Sequence, residues 1–332
     1  VKRIHFTAED IARTRLGPTI GVAAETLDSF KLLKGQDTRR AFDPWRASLT
    51  HRLDDRVAPL AALVPVRGPV VDMSGLAGDS TSIDEAVENL LAAPRALLRA
   101  ELGHIAFDRA HLPWARLLVE GDRETRLQLA GALRACHGVT VAPYWQRVRT
   151  HLAATRSGYA RTLSEGGVER LLAALSGPML NWRPPVLEMS NPGDGDIHLD
   201  GRGIVITPTM FSSSRAELLM APLDPGRAPV LAVPAAGDAE TLRALWEADA
   251  DGAPSLGDLL GRTRAEALEA TADGCSTLEL ARRLNVSAAA ASYHAKVLRN
   301  ARLITTRREG KAVLHAATSL GIALLESHVR HD

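Results

Sequence analysis

Ser276-Thr-Leu-Glu-Leu-Ala-Arg-Arg-Leu-Asn-Val-Ser-Ala-Ala-Ala-Ala-Ser-Tyr-His-Ala-Lys-Val-Leu-Arg-Asn300 is the stretch from which the rest of the chain is read. Ser276 followed by Glu279 has the spacing of a capping box, in which the hydroxyl and the carboxylate each accept from an orphan N–H. Leu280, Ala281 and Leu284 recur at helical spacing and predict a short helix to about Leu284. Asn285-Val-Ser287 is then a turn, because Asn tolerates left-handed backbone and Ser287 can cap a second helix. That helix, to about Asn300, sets Ala291, Ala295 and Leu298 on one face. Ala289, Ser292, Tyr293 and Lys296 fall on another. Two β-type runs follow, 303–306 and 311–316, joined by Arg307-Arg-Glu-Gly310. Helix, tight turn, helix and basic hairpin spell a helix-turn-helix with a wing.

The charges suit that shape. Between Cys275 and His315 lie eight Lys/Arg (Arg282, Arg283, Lys296, Arg299, Arg302, Arg307, Arg308 and Lys311) against Glu279 and Glu309, a net of +6, whereas the whole chain carries only +1. Clustered cations displace the counterions of duplex DNA, and that release drives binding. The small residues 288–291 let the second helix sit deep in a major groove, with Ser292, Tyr293 and Lys296 at base edges and Arg299 beside them. Thr277 and Ser287, at the two helix starts, and Arg307, Arg308 and Lys311 in the hairpin complete the candidate DNA-contacting set.

Residues 277–318, with Ser-Ala-Ala-Ala-Ala-Ser-Tyr-His-Ala-Lys-Val-Leu-Arg at their centre, resemble the winged-helix domain of the arsenic-repressor (ArsR) family of bacterial regulators. The resemblance covers about 255–329. It implies a dimeric repressor whose recognition helix corresponds to 287–300 and whose wing tip corresponds to 307–311. The opening Ile4-His-Phe-Thr-Ala-Glu-Asp-Ile-Ala-Arg-Thr-Arg15 also resembles a subset carrying a large, poorly characterised N-terminal domain. Two departures stand out. Arg302 occupies the family's usual glycine after the recognition helix. Leu278-Glu-Leu-Ala-Arg282 lacks the Cys-x-Cys pair of the metal-sensing members, so no metal is expected.

At 332 residues and 45% hydrophobic content the chain can form two domains with substantial cores. It has no run of about 20 apolar residues and no apolar segment after its basic start, which predicts no membrane span, no leader and a cytoplasmic protein. Cys136 and Cys275 are too far apart in sequence to suggest a disulfide framework or a thiolate metal site. Cys275, just before a helix, invites a thiolate reading as well as that of an idle thiol.

Along the chain, Thr7-Ala-Glu-Asp10 opens a helix to about Arg15. Pro18 begins a second, with Ile20, Ala23, Ala24, Leu27, Phe30 and Leu33 as its apolar face and Gly35 as its end. Asp43-Pro44 starts a third, expected to reach Leu63, and Ser82-Ile-Asp-Glu85 a fourth, interrupted at Pro94. Further helices are expected at about 95–107, 113–120, 122–136, 141–163 and 167–175. After Gly177-Pro178 the texture changes to short β-branched runs at 186–189, 196–199, 203–207 and 230–233. Asp200-Gly201 reads as a hairpin turn between two of them. The expected fold class is mainly α: a helical body over 1–250 with a small antiparallel sheet around 186–234, then a C-terminal winged helix-turn-helix domain over 255–332. Residues 249–254 are the expected linker. Leu256, Leu259 and Leu260 with Ile322, Leu325 and Val329 are the candidate dimer interface, because Ile322, Leu325 and Val329 form an apolar stripe at i, i+3 and i+7.

No catalytic or cofactor motif is present: no phosphate loop, His-Glu-x-x-His, Gly-x-Ser-x-Gly or Gly-x-Gly-x-x-Gly. His104 and His111, near Glu101 and Asp108, read as a metal face or as surface histidines. The few aromatics suggest core anchors, and Trp145 and Trp182 are candidates for a small-molecule pocket. The sequence thus points to a non-enzymatic regulator, a repressor, with no cofactor. It would bind a palindromic double-stranded DNA operator as a homodimer and answer to a non-metal effector or partner. An enzyme fused to a DNA-binding module and a nucleoid-type structural binder are the alternatives.

Overall fold

The structure, a computed structural model, describes residues 1–35, 40–49, 52–64, 71–103, 105, 107–190, 194–212, 215–235, 237, 239–246, 256–272, 274–309 and 312–329. The chain divides into two compact units, Val1–Glu247 and Ala248–Asp332. The expected linker, 249–254, lies outside the described residues.

In the first unit β1 (Lys2–His5), α1 (Ala8–Arg13) and β2 (Arg15–Leu16) come first. They are followed by α2 (Val22–Lys34), α3 (Asp43–Ser48), α4 (Ala58–Leu63), α5 (Met73–Ala77), α6 (Ile83–Ala92), α7 (Arg95–Leu102), α8 (Leu112–Glu120), α9 (Arg123–Thr140) and α10 (Trp145–Ala174). Six strands come next: β3 (Leu180–Arg183), β4 (Val186–Met189), β5 (Gly195–His198), β6 (Val205–Thr209), β7 (Glu217–Leu219) and β8 (Val230–Pro234); α11 (Ala239–Ala244) ends the unit. One sheet has the order β3-β4-β1-β5, with β1 antiparallel to β4 and parallel to β5. The other has the order β2-β6-β8-β7, parallel except for β7.

This overturns the expected fold class of a mainly α helical body with one small antiparallel sheet, followed by a C-terminal winged helix-turn-helix domain. The chain is 57% helical and 15% strand, and three small sheets of four, four and three strands are interspersed through it. The physical reason lies at the start of the chain. Lys2–His5 and Arg15–Leu16 are too short and too basic to announce strands, yet they pair with segments some 180 residues away. β5 and β6 belong to different sheets, so Asp200-Gly201 is no hairpin turn. Both have positive φ, and the buried Asp10 carboxylate of α1 accepts the Gly203 N–H at 3.0 Å just beyond.

Other expectations shift locally. α2 starts at Val22, behind Gly21, so Pro18 lies ahead of it. The helix from Asp43 stops at Ser48 and resumes only at Ala58. α10 runs from Trp145 to Ala174, but Gly166 and Gly167 are non-helical and break it.

Nearly every side chain on α2 is buried, which places this helix at the centre of the larger core. A helix buried on all sides must satisfy its polar groups internally. Thr26 and Ser29 donate to Val22 and Thr26 carbonyls, and Ser29 also meets Thr140 at 2.8 Å. Glu25 accepts from the backbone N–H of Met210 and Phe211 at 2.9–3.2 Å. Trp45 donates to the Thr140 carbonyl and packs edge-on to Phe42 and tilted against Phe211 and Trp246. A second core joins the β1 sheet, the inner face of β6 and β8, and the later part of α10. Among the described residues no helix is long and apolar enough to cross a membrane.

Glu101, on α7, is 3% exposed, and its Oε1 has no hydrogen-bond partner among the described residues. Burial, and then the Asp72 carboxylate, push its pKa up to about 7. A carboxyl raised above its unfolded value contributes stability that is fully present below that value and lost as pH rises through the folded pKa. The melting temperature should therefore fall between about pH 4.5 and about pH 7, and Glu101→Gln should flatten part of that fall. Thermal melts across this range check it; identical slopes in the two proteins would refute the assignment.

Candidate nucleic-acid interface

The second unit is built from α12 (Leu256–Leu260), α13 (Arg262–Ala270), β9 (Cys275–Ser276), α14 (Thr277–Arg283), α15 (Ala288–Asn300), β10 (Ile304–Glu309), β11 (Ala312–Ala317) and α16 (Ser319–Val329). Leu268, Leu280, Ala291, Ala295, Leu298 and Ile304 are at its core. Ser276 caps α14 by accepting the Glu279 N–H, while the Glu279 carboxylate turns to Arg283 instead of closing the box. Asn285 adopts φ 52°, the left-handed turn, and Ser287 accepts the Ala290 N–H at 3.2 Å to start α15.

α15 divides cleanly. Ala291, Ala295 and Leu298 are buried; Ala289, Ser292, Tyr293, Lys296 and Arg299 are exposed along one face, Tyr293 by 58%. Among the described residues Lys296, Arg299, Arg302 and Arg308 have no carboxylate partner. β10 and β11 pair antiparallel, with Arg307 opposite Leu314 and Arg308 opposite Val313, both arginines exposed. The structure thus brings the α15 residues together on one face and keeps both hairpin arginines in water. Lys311 lies outside the described residues.

Thr277 has a different place. It begins α14, half-buried, with its hydroxyl 2.9 Å from His315 Nε2. His315 Nδ1 meets the Thr306 hydroxyl at 3.0 Å. His315 is 4% exposed, and burial followed by the Arg299 charge pushes its pKa below the ordinary value. A neutral imidazole offers one donor and one acceptor, which two hydroxyls can match. His315 therefore ties the hairpin to the first turn of α14. Sequence reasoning missed it, although its register partner on β10 is Thr306.

The six candidate interface residues do not form one exposed stripe. Leu256 and Leu325 are 4% and 6% exposed, buried in the unit's own core, and Leu260 packs half-buried against it. Leu259 and Ile322 are exposed, at 73% and 39%, and the Val329 side chain lies outside the described residues. An apolar stripe at helical spacing reports that something covers it, and here the same chain covers Leu325.

Trp145 and Trp182 are likewise not brought together. Trp145 packs on the larger core and donates to the Thr81 carbonyl, while Trp182 packs on the second core, edge-on to Phe6. Cys136 and Cys275 are free thiols, 0% and 1% exposed, and burial pushes both pKa values up. A thiolate at Cys275 is thus disfavoured. His104 lies outside the described residues, and among those described no group of three His, Cys, Asp or Glu could hold a metal. Comparison with family models, with curated proteins and with solved structures found no match.

Arg302 follows α15 at φ 60°, so it keeps the left-handed turn that a glycine adopts without a Cβ clash. Arg302→Gly should raise stability by roughly 0.5–1 kcal/mol, the relief being offset partly by a freer unfolded chain. Urea unfolding of the two proteins measures it, and a less stable variant would contradict the strain.

Proposed function

We propose that this chain is a sequence-specific DNA-binding transcriptional regulator, a repressor, that engages a palindromic operator as a homodimer. The observation that carries this reading is the exposed face of α15, which presents Ser292, Tyr293, Lys296 and Arg299 in a unit whose hairpin also exposes Arg307 and Arg308. A helix of this kind is narrow enough for a major groove, because its leading residues are alanines. Phosphate contacts from the hairpin would fix its register while the helix face reads base edges. Residues 275–332 hold nine Lys/Arg against four Asp/Glu, a net of +5, and the remainder holds 31 against 35, a net of −4. That local excess suits a DNA-contacting segment, while the first unit, in which Lys/Arg and Asp/Glu balance, would have another task, the sensing of a non-metal ligand or partner. The resemblance of 277–318 to the ArsR regulators supports the same assignment.

A second copy of this chain is the partner proposed for the exposed apolar side chains Leu259, Leu320 and Ile322. One reading helix covers one half-site, and two are needed for a palindrome. Light scattering should give a dimer that Leu259→Asp or Ile322→Asp converts to a folded monomer with an unchanged melt. A wild-type monomer at micromolar concentration that still binds a full operator tightly would sink the dimer.

Sequencing genomic DNA that co-purifies with the protein identifies the operator. On it, Tyr293→Ala and Lys296→Ala should each weaken binding by about 1–3 kcal/mol more than they weaken binding to scrambled duplex. Gel-shift titrations on both duplexes decide this, and equal losses would remove these residues from base readout.

A further inference from the structure

Two cavities in the first unit share Pro18 and Thr19 as walls. One, of about 210 Å³, lies against β2, β6 and β8 and is lined by Arg15, Ser74, Val205, Thr207, Arg227 and Val230 among others. The other, of about 320 Å³, runs along the start of α10 past Gln146, Arg149, Thr150 and Arg156, with Thr81 opposite. Gly17 makes the first one possible. A Cβ there would lie 2.2 Å from Thr207 Oγ1 and 2.8 Å from Val205 Cγ1, so only glycine lets the segment after β2 lie this close to β6.

The walls are cationic. Arg15, Arg149, Arg156 and Arg227, all exposed, line the two cavities with a single carboxylate, Asp79, in a unit whose Lys/Arg and Asp/Glu balance. Among the described residues none of these four guanidiniums has an ion-pair or hydrogen-bond partner, Asp79 included. Elsewhere in the unit Arg3, Arg13 and Arg134 reach Asp194, Glu9 and Asp84. Thr207 adds a polar group to the wall. It is 1% exposed and lines the cavity, yet its hydroxyl has no hydrogen-bond partner among the described residues. The hydroxyl opens on the cavity, where it is free to meet a bound group or water. Thr19 Oγ1 accepts from the Gly21 N–H, which leaves its own proton to donate.

We infer that this double cleft binds a small organic anion carrying phosphate. Guanidinium forks match phosphate oxygens in pairs, and such charge-assisted bonds are about twice as strong as neutral ones. Each cavity has room for a compact ligand but none for a duplex, so the site is separate from the proposed DNA contacts. It stands whether or not the second unit binds DNA.

Isothermal titration of the full chain with inorganic pyrophosphate, with no DNA present, tests the site. Two paired variants separate its possible locations: Arg149→Gln with Arg156→Gln in the cleft, and Arg307→Gln with Arg308→Gln in the hairpin. The expected result is one site per chain, weakened roughly tenfold or more by the cleft pair and unchanged by the hairpin pair. Melting curves confirm that the variants are folded, and Thr207→Val supplies a neutral substitution that should also weaken binding. No heat of binding at millimolar pyrophosphate, or full binding by the cleft pair, overturns the site. Because DNA is absent, either failure leaves the operator reading untouched.

Discussion

The two-sided pairing of Lys2–His5 is the constraint on which the first unit depends. β1 lies between β4 and β5, bonded antiparallel to one and parallel to the other, so neither neighbour can be placed without it. Ile4, fully buried at its centre, ties this ladder to Leu187, Leu199 and Ile206 in the second core. β2 repeats the pattern eleven residues later by joining β6 in parallel. The short α1 between them is pinned by Asp10, whose carboxylate bridges its own cap at Thr7 and the Gly203 N–H. The start of the chain is thus stitched to residues 186–206 by backbone bonds, and the helices from α2 onward pack as a consequence.

A similar economy of means holds the second unit. His315 links the hairpin to α14 through two hydroxyls, and its burial keeps the imidazole neutral at ordinary pH. The buried face of α15 supplies the packing, and Arg302 in the left-handed conformation turns the chain from that helix into β10. The exposed face of α15 is left with no structural duty, which is what a surface kept for another molecule requires.

Local signals in the sequence were legible, and non-local ones were not. The caps at Thr7, Ser276 and Ser287 and the left-handed Asn285 depend on neighbours within four residues and are where the residue types place them, whereas Ser82 makes no side-chain cap and Glu85 turns to Ser80. The division of α15 into a small buried face and a polar outer one follows from spacing alone. β1, β2, β3 and β7 escaped because a two- to four-residue strand is defined by its partner rather than its composition. The hairpin reading of Asp200-Gly201 failed for the same reason: positive φ marks a turn but not which sheet each flank joins. Leu325 shows the limit for the site, since its apolar spacing was plain while the identity of the covering surface was not. The arginine-lined cleft was illegible because Arg15 and Arg227 come to one cavity only through the fold.

The break at Gly166 and Gly167 has a mechanical meaning. Before it, α10 places Val148 and Leu152 in the larger core and packs Tyr159 and Leu163 against the second; past it, Val168, Leu171 and Leu172 lie in the second alone. The longer segment thus bridges both cores, while the short one past the glycines is held by the second core only. With two adjacent residues outside helical geometry, the backbone ladder is interrupted and each half can fray alone. Local opening past Gly167 therefore need not disturb the segment that spans both cores, and amide exchange there is expected to run ahead of the rest of α10.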